Sequence, residues 1–179
     1  MRNKTIQVRT IAQEDFSHYK EPAMVIGMPY CDWKCEKECG QAVCHNAPLS
    51  KLPIQELCID DLVTMYLNNP ITSAVVFAGL EPLGSFDEII DFLDTLRRKR
   101  HCKDPVIIYT GYRRDEIHYA LRVLAKYENV IVKLGRYVPG RESHMDPILG
   151  VPLANPEQYA VRLEQFDPLD TPPFKGVTK

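Results

Sequence analysis

The side chains best suited to chemistry are thiols. Four of the six cysteines, Cys31, Cys35, Cys39 and Cys44, fall in one short stretch, PYCDWKCEKECGQAVCHN, while Cys58 and Cys102 stand alone. Thiolates grouped on a loop can converge on one metal centre, because the preceding strand fixes the first and the flexible chain returns the others. Zinc commonly takes two CxxC pairs, and no CxxC is present. The spacing is x3, x3, x4 across all four cysteines, or x3 then x8 if Cys39 is skipped. On spacing alone, iron-sulfur and zinc readings both stand. Four unrelated exposed thiols would be an oxidation liability, which argues for a shared role.

Something must position these thiols. Four apolar runs have the composition of buried strands: 23–28 (AMVIGM), 73–78 (SAVVFA), 105–110 (PVIIYT) and 129–134 (NVIVKL). Each is rich in β-branched residues and apolar almost throughout, as in a parallel sheet covered on both faces. Helical patterns separate them. Ile54, Leu57, Cys58, Leu62, Met65 and Tyr66 recur at helical spacing, with Pro53 near the first turn. Ser85 to Glu88 read as a capping box, followed by an apolar face of Phe86, Ile89, Ile90, Leu93 and Leu96. A third helix carries Ile117, Leu121 and Leu124, with Asp115 and Glu116 at its start. This alternation predicts an α/β fold with right-handed crossovers and a mostly parallel sheet. Sites in such folds lie beyond the carboxyl ends of the strands. That places the loop after Met28 beside 79–82, 111–112 and 135–136. The loop runs for about 25 residues, and loops above about 12–15 residues are usually functional or disordered.

The 179 residues, 45% hydrophobic and 26% charged, fit a single domain spanning 1–179, with a core at about 23–163. Half of the 14 prolines lie in the last forty or so residues, predicting an irregular C-terminal wrap and a loose tail at about 164–179. A complete eight-fold β/α barrel needs about 200 residues, so a closed one is not expected. A net charge of -2 removes the diffuse basic surface of a nonspecific nucleic-acid binder, and no direct nucleic-acid binding is expected. No apolar run approaches the ~18 residues of a membrane span, so no membrane contact is expected. MRNKTIQVRTIAQEDF lacks a signal-peptide core, which predicts a cytoplasmic protein. A reducing compartment argues against a disulfide framework.

Phe77 to Leu83, FAGLEPL, resembles the FSGGEPL motif of radical S-adenosylmethionine (SAM) enzymes, and Cys44-His45-Asn46 looks like the end of that superfamily's cysteine motif. With Tyr109-Thr110-Gly111-Tyr112 on a later strand, the chain is similar to the activating proteins of anaerobic ribonucleotide reductases, from about Ala23 to Gly135. The resemblance implies a truncated, open (β/α) barrel of the radical SAM type. It implies three cysteines on a [4Fe-4S] cluster whose fourth iron position is open to SAM. One-electron cleavage of SAM then gives methionine and a 5′-deoxyadenosyl radical, which takes a hydrogen from a glycine Cα on a large reductase subunit. The electron donor would be flavodoxin- or ferredoxin-like. The ligands it implies are Cys31, Cys35 and Cys44, with Cys39 as the alternative third ligand. Cys44 is preferred because the His45-Asn46 context travels with it. Cofactor contacts fall to Trp33, Val43, His45, Asn46, Gly79, Leu80, Glu81, Thr110 and Gly111. The sequence departs from the family's C-x3-C-x2-C spacing: Cys44 follows Cys35 after eight residues, and Val43 replaces an aromatic residue. The insertion 36–42 would then bulge from the loop. Leu80 stands where the motif has its second glycine.

Other features have plainer readings. Trp33 is equally a packing residue for the long loop. Cys58 reads as core on a helix face. The run Arg97-Arg98-Lys99-Arg100-His101 before Cys102 complements a helix C-terminus. His18, His101, His118 and His144 lack ligand-like spacing and read as surface or capping groups. Gly135-Arg136 reads equally as a turn with a solvated arginine.

Overall fold

The protein is described here by a computed structural model covering residues 4–165. Its strands and helices follow in the order β1 (Thr5–Val8), β2 (Thr10–Asp15), β3 (Ala23–Met28), α1 (Lys34–Cys39), β4 (Gln55–Cys58), α2 (Ile59–Leu67), β5 (Ala74–Gly79), α3 (Phe86–Asp94), β6 (Val106–Tyr109), α4 (His118–Leu124), β7 (Val130–Leu134), β8 (His144–Met145), β9 (Pro152–Leu153) and β10 (Tyr159–Arg162). The central sheet has the order β10-β7-β6-β5-β3-β2. Strands β3, β5, β6 and β7 are parallel, and β2 and β10 pair antiparallel at the two edges. The fold is mixed α/β with a mostly parallel sheet. The four expected strands are these parallel strands, each within one residue of its expected ends.

Alternation along the parallel strands separates two unlike faces. Met24, Ile26 and Met28 of β3 and Val75 and Phe77 of β5 point to the helical side. There they join Leu62, Tyr66, Ile89, Phe92, Leu93, Leu121 and Leu124 in the main core. Phe77 and Phe92 meet edge to face, with ring centroids 5.1 Å apart. The opposite face is built from smaller residues, Ala23, Val25, Ala74, Val76 and Ala78, with Ile107 and Ile131. Tyr19 from the β2–β3 turn and Leu149, Val151 and Leu153 from the C-terminal segment cover it. Short side chains on that face leave space between sheet and cover.

Several expectations are corrected. Residues 55–58 form a strand, β4, paired antiparallel with β1, so the helix starts at Ile59 and not near Pro53. A four-residue strand flanked by Pro53 mimics a helical turn, because Leu57 and Cys58 are both half-buried. Cys58 therefore ends a strand, half-buried, at the helix N-cap. Ser85 makes no side-chain cap. Glu88 instead accepts the Gln7 N–H at 3.1 Å, tying α3 to β1, and the Ser85 hydroxyl is buried without a partner among the described residues. The C-terminal region is less irregular than its prolines suggest, because β10 pairs with β7 and β8 with β9. The tail expected from about 164 lies, beyond residue 165, outside the described residues. Arg97 satisfies the carbonyls of Glu128, Cys102 and Asp104. Arg98 pairs with Asp94, and Lys99 and Arg100 pair with Asp60. Among the described residues no helix is long and apolar enough to cross a membrane.

Candidate metal centre

The C-terminal ends of β3, β5, β6 and β7 open onto a cavity of about 410 Å³ on the small-residue face of the sheet. The backbone leaves β3 through Pro29 and Tyr30 and reaches Cys31 at once. Trp33 then adopts a left-handed φ of 59°, rare for a bulky residue, and its N–H donates to Cys31 Sγ at 3.3 Å. This turn starts α1, which carries Cys35 on its first turn. The chain returns at Cys44, whose N–H donates to Glu36 Oε1 at 3.2 Å. Cys31, Cys35 and Cys44 thus line the same cavity. Cys39, at the far end of α1, does not line it, nor do Trp33 and Val43. Burial pushes the Cys31 thiol up to about 11 and also raises that of Cys44. Loading a metal on these thiols must therefore release protons.

The insertion expected to bulge from the loop is anchored. Glu38 of α1 pairs with Arg113 at 2.7 Å and with Arg136 at 3.1 Å. Arg136 is not solvated: its side chain is 3% exposed. It also bonds Glu116 at 2.6 Å and donates to the Gly111 carbonyl. Lys34 completes the network on Glu116 at 3.1 Å. Burial alone would raise the Glu116 carboxyl, but the Arg113 N–H, Arg136 and Lys34 outweigh it and hold it down to about 2.

The acidic motif closes the cavity from β5. Gly79 has φ +88, and a Cβ there would sit 3.1 Å from Gly27 Cα, so this glycine is required by backbone and space together. Leu80 has no such positive φ; it is buried and lines the cavity, which is how the motif tolerates it. Asn46 donates to the Gly79 carbonyl at 2.7 Å, coupling the cysteine loop to the strand end. Glu81 is 6% exposed. It accepts from Thr110 Oγ1 at 2.8 Å, Gly111 N–H at 2.9 Å and Leu83 N–H at 3.0 Å. Burial raises its carboxyl despite those three donors. His45 lines the cavity mouth and meets Tyr137, with the hydroxyl 3.2 Å from His45 Nε2. Thr110 and Gly111 also line the cavity, so seven of the nine expected cofactor contacts share it.

Two lining features had no motif to announce them. Lys133 projects from the buried strand β7 into the cavity, donating to the Gly135 carbonyl at 3.2 Å. Burial pulls its ammonium down to about 8, against the attraction of Cys35 and Glu81. A lysine inside the apolar run NVIVKL was the available signal. The turn at Ser17 and His18 also lines the cavity, so His18 is not a plain surface group.

Three soft sulfur donors around one space suit a cluster whose irons occupy separate corners. Zinc would need its donors about 2.3 Å from a single point. Among the described residues no three His, Cys, Asp or Glu side chains are grouped as one metal ion requires. The chain matches the family model of the 4Fe-4S single cluster domain over residues 24–150. It belongs to that family. No curated protein matches the chain. The 4Fe-4S single cluster domain begins inside β3 and ends at Gly150, so it takes in the cysteine loop, Glu81 and Lys133.

Proposed function

We propose that the chain is a radical SAM activating enzyme that generates a glycyl radical on a large anaerobic ribonucleotide reductase subunit. The observation that carries this reading is one cavity holding three loop cysteines, a buried carboxylate and a buried ammonium. A cluster held by Cys31, Cys35 and Cys44 alone keeps one iron for an external ligand. A Cys₄ electron carrier would close that position. When bound, cluster and SAM together supply one-electron cleavage of the sulfonium and the carbon radical that follows.

The chain's own residues do the positioning. Glu81 has two oxygens fixed by Thr110, Gly111 and Leu83, and it offers negative charge to an α-amino group. Lys133 offers the matching positive charge to a carboxylate. Both side chains line the cavity with the cysteines, so together they would hold the amino and carboxylate groups of an amino acid there. Leu80 and Ala78, with Val151 and Leu153 from the C-terminal segment, give the remaining wall an apolar surface. The open sheet, with β2 and β10 as edges, is read as a truncated radical SAM barrel whose open side the reductase covers. That likeness is at the level of fold. A flavodoxin- or ferredoxin-like protein would supply the electron.

A second reading, a cluster module without SAM turnover, draws on the expanded x8 spacing and on Leu80. The separating experiment is anaerobic reconstitution, dithionite reduction and addition of SAM, with and without the reductase. The proposed function predicts 5′-deoxyadenosine and a glycyl-radical EPR signal on the reductase. An intact cluster yielding no 5′-deoxyadenosine in either case supports the second reading. Product without the glycyl signal moves the enzyme to another polypeptide or small-molecule substrate.

A further inference from the structure

The β2–β3 turn carries a carboxylate–imidazole pair that the proposed chemistry does not use. Register between β2 and β3 shifts between Ala12 and Asp15, and the turn that follows packs Tyr19 against the small-residue face of the sheet. Asp15 Oδ1 accepts the backbone N–H groups of Ser17 and His18 at 2.9 and 3.0 Å. The same oxygen lies 2.8 Å from His18 Nδ1. Ser17 Oγ donates to Asp15 Oδ2 at 3.0 Å and lies 3.2 Å from His18 Nδ1, the same ring nitrogen that faces Asp15. Tyr109 secures the other side: its hydroxyl donates to the His18 carbonyl at 2.5 Å, and the two rings meet edge to face at 5.6 Å. The Asp15 and Tyr109 contacts hold the imidazole ring, and His18 is one of the residues lining the cavity.

A carboxylate can only accept, so Asp15 selects the Nδ1–H form of the neutral ring and leaves the lone pair on Nε2. Nε2 has no protein partner among the described residues. A preorganised acceptor on a cavity-lining residue, without a protein partner of its own, is available to a ligand. Its place in the cavity indicates which part of the ligand it reads. Tyr109 touches both His18 and Lys133, the latter with Nζ 5.9 Å from its ring centroid. A Cβ built on Gly111 would meet Cys35 Sγ at 3.5 Å and Glu81 Oε2 at 3.6 Å, so Glu81 stands at the cysteine end, while His18 joins the cavity through its contact with Tyr109. A ligand whose amino-acid end is held at the charged pair directs its nucleoside end toward Tyr109 and His18.

We infer that His18 is a nucleoside-binding residue of this cavity, oriented by Asp15, whose Nε2 accepts a hydrogen bond from an N–H or O–H group of the ligand. The inference rests on the proposed function's placing of SAM in the cavity. Asp15 is a positioning residue, because it acts only through His18. Phenylalanine at position 18 keeps a ring against Tyr109 and removes both nitrogens.

The test measures binding rather than turnover. S-adenosylhomocysteine and L-methionine are titrated into anaerobically reconstituted wild-type and His18→Phe protein. Loss of one hydrogen bond should weaken S-adenosylhomocysteine about fivefold to tenfold, with methionine unchanged. Equal affinity of the two proteins for S-adenosylhomocysteine overturns the assignment of His18 and leaves the proposed function standing. Wild-type protein that binds no S-adenosylhomocysteine overturns both. In the unsubstituted protein, a nitrogen-15 resonance of His18 Nε2 that moves on adding S-adenosylhomocysteine supports the contact, and an unmoved resonance overturns it.

Discussion

Each cysteine of the loop has its own geometry. Cys31 is fixed by the strand end and the Trp33 turn, Cys35 by the start of α1, and Cys44 by Glu36 and the Asn46 anchor. Cys39 shares their loop but not their cavity. Single serine substitutions at 31, 35 and 44 should therefore abolish the cluster's visible absorbance after anaerobic reconstitution, and Cys39→Ser should retain it. Retention in Cys44→Ser with loss in Cys39→Ser would reverse the ligand assignment. Lys133 offers a second residue-level test. Its ammonium is buried with one carbonyl partner, so Lys133→Met should fold and take up cluster normally. Affinity for SAM should fall about tenfold or more, the cost of a hydrogen bond to a charged group. Unchanged affinity in equilibrium dialysis would remove Lys133 from the binding role.

Helix α1 is the element that converts an expanded cysteine spacing into a shared cavity. It holds its place through Glu38, Arg136 and Glu116 rather than through apolar packing, since none of its residues is buried. Removing one partner of a buried ion pair costs about 3–5 kcal/mol. Glu38 is partly exposed, so Arg136→Met should lose about 3 kcal/mol, at the lower end of that range, in urea unfolding. The network also has a pH signature. Glu116 titrates at about 2 when folded, against an ordinary value of 4.5, and Glu38 is lowered in the same direction. A depressed carboxyl stabilises the fold fully above its unfolded value and loses that contribution as pH falls through its folded value. The stability gap between wild type and Arg136→Met should thus be full above about pH 5 and shrink progressively toward pH 2. A gap independent of pH over that range would show that the carboxylates do not act through Arg136. On the helical side of the sheet, Phe92→Ala should cost about 3–5 kcal/mol, because its ring is fully buried against Phe77. Chemical denaturation checks it.

At the scale of the molecule, the sheet separates stability from chemistry: one face packs against the helices, and the other lines the cavity at the C-terminal strand ends. The parallel strands were legible because unbroken β-branched runs have few other uses. The cysteine loop and the FAGLEPL and YTGY segments were legible because strand topology brings such ends together. Other parts were hidden for physical reasons. Strand β4 is too short for its period to be told from a helical turn. Arg136 is buried only because Glu38 and Glu116, far apart in sequence, converge on it. His18 gains its place from a bulge and from Asp15, which no spacing rule encodes. Lys133 was visible as the odd residue of its strand, but only the folded cavity shows what it faces. The central claim is that three protein thiolates hold the cluster and leave one iron for SAM. EPR of the dithionite-reduced, reconstituted protein, recorded with and without SAM, tests it most directly. A changed cluster signal on adding SAM is the predicted result, and a signal unaltered by saturating SAM would contradict the account.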